Sequence, residues 1–330
     1  MPEVSSGSPV WTSALEMLRV RLGGPPETVD RMAVMLRRDP YVFDLTVLPA
    51  RNGVQTLDVI ECHVLAGAAN QLLRELRALG AGEEVSLHVD TVALSASATA
   101  RSAEHLLLGP LASAPVWELV AARIREGSVY RPSFYLLLVA AGIIGAVGIL
   151  TNSQIVVVGA MVVGPEYGAI AALAYGLERR TLDPVRRAAA ALTVGFTLAI
   201  AATFGFAALV RAFDLQPAAF DRGLQPVSHL VGTPNFYSVV VAVVAGAVGV
   251  VSLTLDRAGT LLGVFISATT IPAAADMGVA LGFGDWSEAL ASLGQLALNL
   301  VVLIATGVVT LAAQRSLWRR VRERPPPAVP

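Results

Sequence analysis

Apolar positions in this chain change their rhythm near residue 130. Before that point they alternate with polar residues or recur every three to four positions. Beyond it they fill runs of about twenty, separated by short loops that carry arginine. The rhythm predicts a small α+β module followed by an α-helical polytopic membrane domain.

In the first part, residues 15–22 (LEMLRVRL) alternate as a strand does. Residues 25–39 open with two prolines and an acid, then place Val29, Met32, Ala33 and Leu36 on one helical face. Residues 41–48 and 55–64 read as strands joined by the turn Pro49-Ala50-Arg51-Asn52-Gly53. A second amphipathic helix at 69–79 and a strand at 84–94 complete the order β-α-β-β-α-β. That order is the ferredoxin-like split, two helices covering one face of a four-stranded antiparallel sheet. The module is assigned to 14–95, behind a disordered 1–13. Cys62 and His63 are adjacent strand positions, so one points inward and the other outward.

Residues 96–132 are a small-residue linker and an amphipathic helix with Val116, Trp117, Val120 and Ile124 on one side. With Arg123, Arg125 and Arg131 nearby, the helix suits the membrane surface. It reads equally as a plain connector packed on the module.

Six runs are long enough to span a bilayer: 134–151, 154–177, 188–210, 237–255, 258–283 and 286–313. They form a membrane domain at 133–314, followed by a basic, proline-rich tail at 315–330. Dense and sparse arginine alternate between them, with Arg179, Arg180, Arg186 and Arg187 in the second loop and none in the first or fifth. The positive-inside rule then puts both termini in the cytoplasm of a multi-pass plasma membrane protein. The start, MPEVSSGSPVWTS, lacks the charged and apolar regions of a signal peptide.

The first and fourth spans share GAVG, at 145–148 and 246–249. GAMVVGPEYGAIAALAYG in the second aligns with GVFISATTIPAAADMGVALG in the fifth through a leading glycine, a central proline and a closing glycine. A three-span unit repeated once is inverted, the plan of many secondary transporters; chance likeness among Ala, Gly and Val helices would produce the same pattern. Pro165 and Pro272 occupy equivalent places, each expected to break its helix. Each precedes a carboxylate, Glu166 or Asp276. Glu166 lies about 18 Å along the helix from Gln154, near mid-bilayer. There a carboxylate needs a proton, a cation or the amides of a half-helix beginning at Pro165.

The expected substrate or ion site is therefore Glu166, Pro165, Asp276, Pro272, Gly164 and Thr270. The bland reading is a bent helix packed through Gly164-x-x-x-Gly168, with Glu166 merely wetted. Asn152 and Gln154 are secondary polar candidates explained by the turn between spans. Gln295 and Asn299, one turn apart, form an interhelical hydrogen bond or line a pore. Asp256-Arg257 reads as a turn pair.

Composition agrees with the class: 55% of the 330 residues are hydrophobic and only 15% charged. All 24 basic residues are arginine, but no basic face interleaves with aromatics, so nucleic acid is not an expected partner. One cysteine excludes an intrachain disulfide and thiolate metal motifs. His63, His88, His105 and His229 lack ligand spacing, and no nucleophile set or phosphate loop stands out. No enzyme, cofactor or metal is expected.

The run GILTNSQIVVVGAMVVGP, with ISATTIPAAADMGVAL later and the split module ahead, resembles the domain of unknown function 389, the uncharacterised hydrophobic domain family of bacteria and archaea. The resemblance covers the chain from the module through the sixth span. It implies a membrane protein with a cytoplasmic accessory module and supplies no activity. Many members resemble "SPLM" where this chain has Gly-Pro-Glu-Tyr, so Glu166 departs from the family pattern.

Two functions follow. The first is a transporter- or channel-like protein whose broken second and fifth helices hold a proton, a cation or a small solute. The second is a membrane-anchored sensor or scaffold whose module binds a ligand or partner. Gly142, Gly145, Gly148, Gly278 and Gly282 offer close-packing faces for a homodimer, or for helices within one protomer.

Overall fold

The computed structural model of the chain describes residues 17–52, 55–92, 115–222, 227–228, 235–254 and 260–323. The readings of residues 1–13, Gly53, the linker before 115, His105, His229, Asp256-Arg257 and tail residues 324–330 lie outside them. The chain divides into two compact units, one built on the amino-terminal sheet and one on the helices from Val120 to Ser316.

The first unit runs β1 (Met17–Gly24), α1 (Pro26–Arg38), β2 (Val42–Asn52), β3 (Gln55–Leu65), α2 (Ala66–Ala78) and β4 (Ser86–Val92). The sheet order is β2-β3-β1-β4, antiparallel throughout. This is the split order expected from the sequence. Proline in the first turn of α1, with Glu27 there and Arg37 and Arg38 in the last, suits the helix dipole. Val29, Met32, Ala33 and Leu36 from α1 and Ala69, Leu72, Leu73 and Leu76 from α2 bury against Leu18, Val20, Leu22, Ile60, Cys62 and Val64. Cys62 points inward as alternation requires, and burial, then the nearby Glu61 and Asp39, push its thiol up to about 12.

The other sheet face is polar. Strand pairing puts Arg19 between His63 and Asp90, and Arg21 between Glu61 and His88. Arg19 Nε lies 3.4 Å from Glu61 Oε1. His63 stacks on Phe43 at 6.0 Å, and its Nδ1 is 3.8 Å from Asp44 Oδ2. A bulge between Phe43 and Thr46 turns Asp44 to a φ of 52°. After the sheet, α3 (Trp117–Gly127) starts on α2: Asn70 donates to the Pro115 carbonyl at 2.8 Å and accepts from the Trp117 amide at 3.0 Å. Arg77 grips Glu118 with two hydrogen bonds, at 3.0 and 2.8 Å.

The second unit contains α4 (Pro132–Leu150), α5 (Gln154–Val163), α6 (Tyr167–Arg179), α7 (Leu182–Ala212), α8 (Phe236–Thr254), α9 (Thr260–Phe283) and most of α10 (Trp286–Glu323). Helices α4, α7, α8 and α10 are long and apolar enough to cross a membrane, and the bent pair α5–α6 adds a fifth candidate when its two halves are taken as one span. The fifth expected span, 258–283, coincides with α9, of which Thr270–Phe283 stands as a shorter apolar helix. Leu136, Ile155, Val301 and Val309 face outward, while Glu166, Thr203, Thr270, Asp276, Ser292, Gln295 and Asn299 are buried. Apolar outside and polar inside is the arrangement that lipid imposes. Val120 and Ile124 of α3 are also buried, and Arg123 donates to the Leu253 carbonyl at 3.4 Å. The apolar side of α3 at Val120 and Ile124 thus faces protein.

Small residues set the helix spacing. A methyl group added to Gly145 would come within 2.8 Å of Ala275, and one on Gly278 within 2.6 Å of Thr203. Gly142 packs on Thr203 and Ala199, Gly148 on Val157, and Gly282 on Ala207. All five glycines considered for a dimer face pack helices within the chain.

Residues 49–52 of the expected turn are part of β2, paired with β3, and the expected break at Pro272 is also corrected. Helix α9 runs through Pro272 without interruption, so among the described residues the break is confined to the α5–α6 pair. A proline removes one amide donor, but Ile271, Ala273, Ala274, Ala275, Val279 and Ala280 around it are buried in neighbouring helices. Packing on several sides holds the helix where sequence alone suggests a break.

Candidate functional site at a broken helix

The second span stops at Val163 and resumes at Tyr167, and the halves are bent by 57°. Gly164 is extended, with φ −64° and ψ 124°, as expected of a residue before proline. Pro165 then prevents the backbone from rejoining the α5 ladder.

Glu166 occupies the N-cap position of α6, and its carbonyl accepts from the Ile170 amide at 3.0 Å. Its side chain makes no capping bond. The carboxylate turns away from the half-helix and accepts the Thr270 hydroxyl of α9, with Thr270 Oγ1 at 2.8 Å from Glu166 Oε1. Both residues are 0% exposed. The half-helix start gives this acid no capping bond, whereas a threonine on the fifth span donates to it.

Gly164 has a steric reason to be glycine. A methyl group there would run into the Glu166 carboxylate and come within 3.0 Å of Ile271. From the other side, the Tyr167 hydroxyl donates to the Gly249 carbonyl of α8 at 2.9 Å. The break is thus held by two helices from the second half of the bundle. The site members Glu166, Pro165, Gly164 and Thr270 come together as the sequence suggested, whereas Tyr167 was not anticipated. Its only signal was its place beside the proline.

Asp276 belongs to a second polar cluster. It accepts Ser228 Oγ at 2.5 Å and Ser292 Oγ at 2.6 Å, and is itself 1% exposed. Ser228 also lies 3.2 Å from Glu288 Oε1. Pro272 lies between Thr270 and Asp276 on α9 and shapes neither cluster by a break. Gln295 and Asn299 bond each other at 3.1 Å along α10, so the bond is intrahelical rather than interhelical. Asn152, at φ 53°, ends the first loop in a left-handed turn and accepts from the Val227 amide at 3.4 Å. Gln154 is exposed at the start of α5. Among the described residues, no group of three or more His, Cys, Asp or Glu could hold a metal ion.

Residues 161–305 match the family model described as Domain of unknown function (DUF389). This stretch is similar to that family. It runs from Met161 in α5 to Ala305 in α10, and so contains both acids, Thr270, Ser292, Gln295 and Asn299. The DUF389 match is narrower than the resemblance in the sequence: Thr151-Asn152-Ser153 and the amino-terminal module lie outside it. No curated protein matches the chain, and no solved structure does.

Proposed function

We propose that this chain is a transporter- or channel-like protein of the plasma membrane that moves a proton or a small cation. Its site is the gap between α5 and α6, with Glu166 as the binding group and Thr270 as its positioning partner. One observation carries this reading: a carboxylate 0% exposed at a helix break, among apolar helices, hydrogen-bonded to a hydroxyl of another span. Burying an ionised acid there is costly unless a proton or cation accompanies it. The arginine pattern orients the protein with both termini cytoplasmic, and a homodimer is the assembly proposed on frequency.

The test is flux into proteoliposomes as a function of pH and cation. Wild-type protein carries a pH-dependent flux that Glu166→Gln abolishes and Thr270→Val reduces. Undiminished flux through the Gln variant removes the carboxylate from the mechanism.

The sensor reading is supported by the polar sheet face, where Arg19 and Arg21 sit on a central strand among Glu61, His63, His88 and Asp90. It predicts saturable ligand binding to the full chain, lost on Arg19→Ala or Arg21→Ala, with no flux.

A further inference from the structure

Asp276 sits in a hydrogen-bond geometry that the Glu166 site does not use. Ser228 Oγ is 2.5 Å from Asp276 Oδ1 and 3.2 Å from Glu288 Oε1. Ser292 Oγ is 2.6 Å from Asp276 Oδ2 and 2.9 Å from the Glu288 backbone carbonyl. A hydroxyl has one hydrogen to donate. Each serine therefore faces two acceptors and can serve one at a time. With both carboxylates ionised, these four contacts share two hydrogens. One further proton serves both Ser228 contacts: protonated Asp276 donates to Ser228, and Ser228 then donates to Glu288.

We propose that Glu288, Ser228 and Asp276 form a proton relay leading from the start of α10 into the bundle interior. The two acids differ in access, as a relay requires. Glu288 is partly exposed in the first turn of α10, whereas Asp276 is sealed. In the transfer, the Glu288 carboxyl gives its proton to Ser228 Oγ while the Ser228 proton passes to Asp276 Oδ1. One O–H bond breaks and one forms at Ser228, and the net change is one proton moved from Glu288 to Asp276.

A separate observation extends the route inward. Gln295 is 3% exposed, and its Oε1 has no hydrogen-bond partner among the described residues. Glu288, Ser292, Gln295 and Asn299 recur at the spacing of one helical face, so that open acceptor lies on the same stripe as Ser292, one turn deeper. A buried acceptor without a donor is costly, and a proton-bearing group or water delivered past Asp276 supplies one.

Two other charged groups among the described residues have partners of their own. Asp285, in the turn before α10, accepts the Ser287 and Glu288 amides at 3.1 Å each. Arg211 of α7 donates to the Gly282 carbonyl at 3.3 Å. Where α4 and α5 pack near Asp276 they present Gly145, Ala146, Val157 and Ala160, none of which titrates. Among the described residues, Asp276 and Glu288 are the acids that Ser228 joins.

The relay rests on the proton-moving reading above, yet its first test needs no flux. Full-length protein in lipid nanodiscs is subjected to a pH jump, and the carboxyl C=O infrared band that Asp276→Asn removes is followed in time. Ser228→Ala and Glu288→Gln each slow proton arrival at Asp276 by about tenfold or more, while Ser228→Thr, which keeps the hydroxyl, restores the rate. Should the Ala variant not fold, Glu288→Gln against Ser228→Thr makes the same comparison. An unchanged rate in Ser228→Ala or Glu288→Gln overturns the relay, whatever the liposomes show. A working relay in a protein without flux overturns the transport reading and leaves the relay standing.

Discussion

Thr270 donates its hydroxyl hydrogen to Glu166 Oε1 at 2.8 Å, across 104 positions of sequence. The bond ties the helix break to the fifth span. A hydrogen bond to a charged group contributes roughly 1.5–3 kcal/mol. Thr270→Val keeps the shape and removes the donor, so it lowers unfolding stability in detergent by that order. Thr270→Ser keeps the hydroxyl and stays within about 1 kcal/mol of wild type. Equal stability of the Val and wild-type proteins would show that the contact does no energetic work.

Glycine contacts give a graded prediction. A Cβ on Gly278 meets Thr203 at 2.6 Å and the Ile200 carbonyl at 3.1 Å, so Gly278→Ala pushes α9 from α7 and costs about 1–3 kcal/mol. Gly205 and Gly159 have nothing within 4 Å. There, alanine raises helix propensity and stabilises by up to about 1 kcal/mol. Thermal scans of the three variants in one detergent decide the order.

Arg315 forms an ion pair with Glu178, with side chains only 12% and 14% exposed, and its guanidinium stacks 5.3 Å from the Tyr175 ring. Removing Glu178 leaves a largely buried guanidinium without its carboxylate at the end of α6. Glu178→Ala therefore destabilises by about 3–5 kcal/mol, and pairing it with Arg315→Met recovers much of that. A double-mutant cycle measures the coupling; additive losses would deny it.

Asp285 caps α10 through the Ser287 and Glu288 amides, and those bonds, with the Ser287 hydroxyl first, hold its carboxyl below the usual range. A lowered folded-state value means that its contribution is present at neutral pH and disappears as pH falls through that value. Asp285→Ala costs about 1 kcal/mol at pH 7, and the gap between variant and wild type closes in acid. A denaturant series at pH 7 and in strong acid reads this directly.

The module was legible because its two periods are unambiguous. Leu18, Val20 and Leu22 against Arg19 and Arg21 fix which face of β1 is inside, and the stripe from Val29 to Leu36 does the same for α1. The break at Pro165 was legible too, since a glycine before the proline and an acid after it both disfavour an unbroken helix in lipid. The same logic misled at Pro272. There the outcome depends on how densely Ile271 to Ala275 are packed, and local sequence does not encode that. Ser292 and Glu288 could have been found by extending the spacing of Gln295 and Asn299 back along α10. Ser228 had no such signal, because its partners lie 48 and 60 positions away.

The single thiol of the chain has a practical use. Cys62 sits behind the sheet with its proton firmly held, which makes the wild-type protein a silent background for impermeant maleimides. Asn152→Cys and Arg180→Cys, at opposite ends of the broken second span, then report their own surroundings one at a time. On the arginine pattern the first labels from outside intact cells and the second only after permeabilisation, so sidedness can be assayed without engineering a cysteine-free parent.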